Sequence, residues 1–154
     1  MIADIRPAVS SDAAALARLH AASFEDGWSK DDFVTWLTRK EAFAIVASRE
    51  REAVAFGLAL AAGDDAELLT IATRPDQRRT GLGDRIFRAL NAEAQRRGLG
   101  RWVLEVARNN FPALALYKSE GFMEISVRTA YYQHGQGRMD AIVLSRPVGG
   151  QPGA

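Results

Sequence analysis

Apolar residues recur along this chain with two periods, and the switch from one to the other marks its elements. Leu16, Leu19 and His20 share one face of a helix that Ser10 or Ser11 can cap. Phe33, Trp36 and Leu37 form the apolar face of a second helix, opened by Ser29 and Asp32 at capping-box spacing. Leu82, Ile86 and Leu90 make the stripe of a third, which runs to Arg97 and ends at Gly98 and Gly100. A fourth begins at Asn109-Asn110-Phe111-Pro112, where proline is tolerated because first-turn N–H groups have no intrahelical partner, and stops at Gly121. Short apolar runs predict strands at 2–6, 42–48, 53–61, 66–73, 101–106, 122–129 and 138–144. A charged hairpin at 49–52 joins the second strand to the third, and a turn at 133–137 joins the last two. Alternating strands and helices, with hairpins near both ends, predict an α/β domain on a mixed sheet.

At 154 residues the chain has room for one domain with a proper core, expected over 1–147, and a glycine-rich tail over 148–154 is expected to be a loose end. Apolar residues make up 47% and charged residues 25%, the balance of a soluble globular protein. A formal charge of +1 gives no general attraction to nucleic acid or to membranes. There is no cysteine, which removes disulfides, thiolate metal sites and a cysteine nucleophile, and the two histidines, His20 and His134, lie far apart, so no metal is expected. Neither a signal-like N-terminus nor a long apolar run occurs, and the expected location is the cytoplasm.

The most informative segment follows the fourth strand. Arg78-Arg79-Thr80-Gly81-Leu82-Gly83-Asp84 is a basic, glycine-punctuated loop that opens the third helix. Backbone N–H groups at a helix N-terminus, reinforced by the dipole, suit a phosphate, and glycine lets the backbone approach it. No Gly-Lys-Ser/Thr follows, so this is not a P-loop, and Ile86 stands where a dinucleotide-binding loop has its third glycine. Arg74, Arg78, Arg79, Arg85 and Arg88 crowd around the loop, read either as a solvated surface or as guanidinium groups facing an anionic ligand.

Three residues further on bear on chemistry. Glu105 is a carboxylate inside the apolar run Trp102-Val103-Leu104-Glu105-Val106, which is costly unless it has a partner or a task. A half-exposed position beside an arginine would account for it equally well. Asn110 can cap its helix, and Tyr117 can be a core tyrosine with a satisfied hydroxyl.

Together, Arg78-x-x-Gly81-x-Gly83 and Leu104-Glu105-Val106-(x3)-Asn110-(x3)-Leu114-Ala115-Leu116-Tyr117-(x3)-Gly121-Phe122 resemble the GNAT acetyltransferase superfamily. Phe24-(x3)-Trp28-Ser29-(x3)-Phe33 and Tyr131-Tyr132-(x4)-Gly137-Arg138-x-Asp140-Ala141 resemble its bacterial RimI-type members, which acetylate the N-terminal alanine of a small-subunit ribosomal protein. The resemblance spans roughly residues 3 to 147. It implies the GNAT (acyl-CoA N-acyltransferase) fold, a mostly antiparallel central sheet flanked by helices, with acetyl-CoA as co-substrate and a protein N-terminus as acceptor. It implies Glu105 as general base and Tyr117 as general acid. It also implies Ile71, Ala72 and Thr73 along the pantetheine, Arg78, Arg79, Thr80, Gly81, Leu82, Gly83 and Asp84 around the pyrophosphate, and Asn110 against the cofactor. Tyr131 and Tyr132 would stand beside the acceptor, although as strand-end aromatics they can equally cover the core. Thr80 replaces a longer polar residue common in the subfamily, and Glu25-Asp26-Gly27 before Trp28 is longer and more acidic than in some members.

No histidine, cysteine or serine is placed as a covalent nucleophile, which favours direct attack by an amine. A small-molecule N-acetyltransferase on the same scaffold is the nearest alternative, ahead of a non-catalytic acyl-CoA sensor. A nucleic-acid-binding module, motivated only by the arginines, is disfavoured by the balanced charge.

Overall fold

The computed structural model describes residues 2–24, 27–134 and 137–149, with side chains left undescribed over 130–138. Its elements run β1 (Asp4–Pro7), α1 (Ala13–Ser23), α2 (Lys30–Thr38), β2 (Ala42–Arg49), β3 (Glu52–Ala62), β4 (Asp65–Thr73), α3 (Leu82–Arg96), β5 (Arg101–Ala107), α4 (Phe111–Ser119), β6 (Met123–His134) and β7 (Gly137–Pro147). The strands form one seven-stranded sheet in the order β1-β2-β3-β4-β5-β7-β6. Every pairing is antiparallel except β4 with β5. This is the mixed, mostly antiparallel sheet flanked by helices expected from the sequence.

Period-two alternation in β2 feeds two cores. Phe43, Ile45 and Ala47 pack on the face covered by α3, while Ala44 and Val46 join Leu16, Leu19 and Phe33 under α1 and α2. Gly57 in β3 lies beneath α3, where an added Cβ would sit 2.7 Å from Ile86 Cγ2 and 2.8 Å from Leu90 Cδ1. Gly57→Val is therefore expected to destabilise the fold by about 1–3 kcal/mol through overpacking, measured as a lower urea midpoint. An unchanged midpoint would mean that α3 can move away at no cost.

Some local details depart from the sequence reading. Neither Ser10 nor Ser11 caps α1, because residues 10–12 form a 3₁₀ turn. The stronger acceptor Asp12 takes the Val9 N–H at 2.8 Å and pairs with Arg6 at 2.8 Å. The 49–52 hairpin is tight, with Glu50 and Arg51 at φ 52° and 69°, as a two-residue loop joining right-twisted strands requires. The last two strands are longer than their apolar runs and pair through to Met123↔Ser145.

Two irregularities shape the functional region. The parallel β4–β5 ladder holds only for Asp65↔Arg101, Ala66↔Trp102 and Glu67↔Val103, after which the strands diverge. In the same stretch the β3–β4 register shifts between Leu58 and Ala59, leaving Leu69 as an extra residue on β4. A bulge bends and twists the strand that carries it. The sheet consequently opens into a wedge with β4 as one arm and β5 as the other.

Candidate functional site

The wedge holds a cleft of about 720 Å³. Ile71, Ala72 and Thr73 line it from β4, Glu105 from β5, and Asn110 and Tyr117 from the α4 region; Arg78 and Gly83 border it from the glycine loop. Residues that the sequence singled out for separate reasons thus share one cavity. Arg79, Thr80, Gly81, Leu82 and Asp84 surround the start of α3 without lining that cavity. The side chains of Tyr131 and Tyr132 fall outside the described residues.

The start of α3 differs from those of α2 and α4. In α2 the Ser29 hydroxyl accepts the Asp32 N–H and the Asp32 carboxylate accepts the Ser29 N–H. In α4 the Asn110 side chain accepts the Ala113 N–H at 3.3 Å. No side chain caps α3; its first ladder bond runs from the Arg85 N–H to the Gly81 carbonyl, which leaves the N–H groups of Leu82, Gly83 and Asp84 without intrahelical acceptors. These donors and the helix dipole suit an anion. Gly81 is needed here for its backbone, since φ is +82° while a Cβ would meet nothing within 4 Å. Gly83, at an ordinary φ, leaves space on the cleft wall.

The arginines around the loop are mostly engaged within the protein. Arg74 bonds Asp76 and Glu52, Arg85 reaches the Ala3 carbonyl, and Arg88 pairs with Asp84 at 3.0 Å. Arg78 donates to the Thr73 carbonyl and to the Ser23 hydroxyl, both at 3.3 Å, tying the loop to β4 and to the end of α1. Arg79, exposed at φ 63°, projects from the loop itself. The cluster is therefore chiefly a set of staples that shape the loop.

Glu105 combines both roles that its sequence position allowed. Trp102, Leu104 and Val106 point into the α3-side core, so alternation turns Glu105 to the opposite face, where it is half-buried. It lines the cleft and accepts a hydrogen bond from Arg128 Nη1 at 2.7 Å. The register explains the reach: Arg128 on β6 pairs with Ala141 on β7, which pairs with Ala107 on β5. Alanine at the intervening position leaves the guanidinium a path across β7. Tyr117 stacks edge-on against Phe122 at 5.6 Å and lines the other side of the cleft. Burial pushes its phenol well above the ordinary tyrosine range, so the group stays protonated.

The sequence reading overlooked one wall. His20, Ser23 and Phe24 at the end of α1, and Thr70 on β4, also line the cleft. The His20 ring lies between Phe24 at 4.4 Å and Trp28 at 4.8 Å, and its Nδ1 accepts the Trp28 N–H at 3.0 Å. Burial lowers its pKa, which favours the neutral ring with the proton on Nε2. The i, i+4 spacing of His20 and Phe24 carried this signal, as did the lone polar residue in Leu68-Leu69-Thr70-Ile71. Among the described residues no group of three or more histidines or carboxylates could hold a metal, and no helix is long and apolar enough to cross a membrane.

Beside α3, burial pushes Glu120 up to about 7, and the neighbouring Asp84 carboxyl adds to the effect. An unfolded glutamate ionises near ~4.3. Between that value and about 7 the folded chain keeps a proton that the unfolded chain has lost, so stability falls as pH rises through this window. Glu120→Gln is expected to raise the urea midpoint at pH 8 and to change it little at pH 5. Equal gains at both pH values would remove titration as the cause.

These features coincide with one group of known proteins. The profile of the Acetyltransferase (GNAT) family matches residues 13–122. The chain belongs to the GNAT acetyltransferase family. Within that family it is 40% identical over 94 residues to the Escherichia coli K12 protein named [ribosomal protein bS18]-alanine N-acetyltransferase, a match covering 61% of this chain and 64% of that relative. The crystal structure of the Escherichia coli ribosomal-protein-S18-alanine N-acetyltransferase superposes with a TM-score of 0.87 at 30% identity, covering 96% of this chain and 94% of that one. A ribosomal-protein-alanine N-acetyltransferase from Brucella melitensis shares the fold, with a TM-score of 0.83 at 21% identity over 94% and 99% of the two chains.

Proposed function

We propose that this chain is a cytoplasmic enzyme that transfers an acetyl group from acetyl-CoA to the N-terminal α-amine of a protein, the alanine terminus of a small-subunit ribosomal protein. The observation that carries the reading is the splayed β4–β5 cleft, lined by Glu105 and Tyr117 and adjoined by the uncapped start of α3. The acceptor is supported by the likeness to the Escherichia coli alanine N-acetyltransferases. The cofactor fits the residues present: the free donors of Leu82, Gly83 and Asp84 would hold the pyrophosphate, and the edge of β4 beyond Glu67, unpaired by β5, would lie along the pantetheine.

When bound, acetyl-CoA supplies a thioester whose carbonyl carbon accepts the amine. A terminal α-amine has a pKa near ~7.7–8.0 against ~10.4 for lysine, so making it neutral at pH 7 costs about 1 kcal/mol rather than about 5. Glu105 takes the proton that the nitrogen loses as the C–N bond forms, directly or through one water. Tyr117 delivers its phenolic proton to the sulfur as the C–S bond breaks, and both groups recover their starting states by exchange with solvent. An N–H of the Ile71–Thr73 segment binds the carbonyl oxygen as charge develops there.

Mass spectrometry after incubation with acetyl-CoA tests the acceptor. Alanine-starting basic peptides, the same peptides blocked at the N-terminus but bearing lysine, and common small amines would be compared. Acetylation of the free alanine terminus alone is the expected result. A modified small amine with untouched peptides would overturn the acceptor while keeping the fold and the cofactor.

A further inference from the structure

Thr70 is 6% exposed, and its Oγ1 is a buried atom with no hydrogen-bond partner, yet the residue lines the cleft. Valine has the same shape and would remove the cost of an unpaired hydroxyl, so the hydroxyl calls for an explanation. Its position supplies one. Thr70 pairs with Leu58, which packs in the α1/α2-side core together with Ala72, two residues further along β4. Thr70 therefore faces the α1/α2 side, the same side to which alternation turns Glu105 on β5. Thr70 lies three positions past Glu67 and Glu105 two past Val103, the last paired residues of the two arms. At ~3.3 Å per residue both side chains stand roughly 7–10 Å beyond the fork, one on each arm.

We propose that the Thr70 hydroxyl, turned about χ1 from its buried position into the cleft, accepts a hydrogen bond from the acceptor α-amine on the side opposite Glu105, so that the two arms of the wedge hold the nitrogen between them. The proposal rests on the peptide α-amine reading above. A neutral primary amine has two N–H groups. One faces Glu105, the base; the other needs an acceptor that does not compete for the proton, and a hydroxyl provides it. His20 cannot serve, since its one acceptor nitrogen is taken by the Trp28 N–H. With both N–H groups held, the lone pair is left to point along the cleft toward the thioester. Thr70 itself neither gains nor loses a proton.

The test compares Thr70→Val, Thr70→Ser and Thr70→Ala with the native enzyme on an alanine-starting peptide and on the same peptide beginning with N-methylalanine, which has one N–H when neutral. Thr70→Val should lower kcat/KM for the alanine peptide about tenfold, as loss of one hydrogen bond does, with the KM for acetyl-CoA unchanged and a thermal midpoint no lower than native. Thr70→Ser should stay within about threefold, because it keeps the hydroxyl. The preference for alanine over N-methylalanine should narrow in Thr70→Val by the same factor, since the methylated amine never made the bond. Should Thr70→Val fail to fold, the same narrowing in Thr70→Ala carries the test. Native-level activity of the valine variant, or equal losses on both peptides, would overturn the inference while leaving the acceptor intact. If the native enzyme acetylates neither peptide, the acceptor reading and the inference fall together.

Discussion

Glu105→Gln is expected to lower kcat by about 10²–10⁴-fold with saturating acetyl-CoA, the contribution typical of a positioned general base. Glutamine keeps the shape and leaves an oxygen for Arg128, whose Nη1 bonds Glu105 at 2.7 Å, but it cannot take a proton. Two sizes of effect separate a base from a surface ion pair. The Glu105 and Arg128 side chains are 29% and 50% exposed, so their pair contributes at most about 1 kcal/mol to stability. The expected rate loss corresponds to roughly 3–5 kcal/mol in the barrier. Measuring kcat and the thermal midpoint on the same variant therefore decides the matter. A large rate loss with a nearly native midpoint assigns Glu105 to the reaction. A native rate with a lowered midpoint would reduce it to a partner of Arg128.

How far the sequence could be read follows from how local each signal is. The Ser29/Asp32 capping box, the apolar stripe of α3 and the tight 49–52 hairpin depend on neighbours a few positions away, and all appear as the residue order implies. Asn110 was legible as a cap, and it caps α4 while lining the cleft. The divergence of β4 from β5 was not legible. It depends on where a parallel ladder between strands 36 positions apart stops, as in Asp65↔Arg101, and on an extra residue at Leu69 that alternation alone does not reveal. The same distance hid the partners of the arginines. Arg78 meets Ser23 and Arg85 meets Ala3, so a cluster readable along the chain either as a solvated surface or as an anion site has partners in space that the residue order did not reveal. His20 and Thr70 were overlooked because their importance comes from what packs around them. A histidine on an apolar helix face and a threonine in a strand are ordinary until the wedge opens beside them.

Tyr117→Phe is expected to reduce kcat by about 10²–10³-fold, with the KM for acetyl-CoA within about twofold of native. Phenylalanine preserves the ring that packs edge-on against Phe122, so the α4 wall and the cofactor path beside it should survive the change. What is lost is the proton. A thiol ionises near ~8.5 and a phenol near ~10, so in water a tyrosine is a poor donor to a thiolate. In the cleft both anions lose solvation, and a thiolate leaving into a water-poor site also becomes a stronger base than it is in water. Burial raises the pKa of the Tyr117 phenol above the ordinary tyrosine range, so the donor is the neutral, protonated form near neutral pH. Its form gives a second check on the same residue. Native kcat should show no alkaline fall below pH 10 that the phenylalanine variant lacks, because Tyr117 does not titrate there. A native-only loss of activity between pH 8 and 9 would mean that the phenol ionises in that range, and an unchanged kcat in the variant would remove Tyr117 from the acid role.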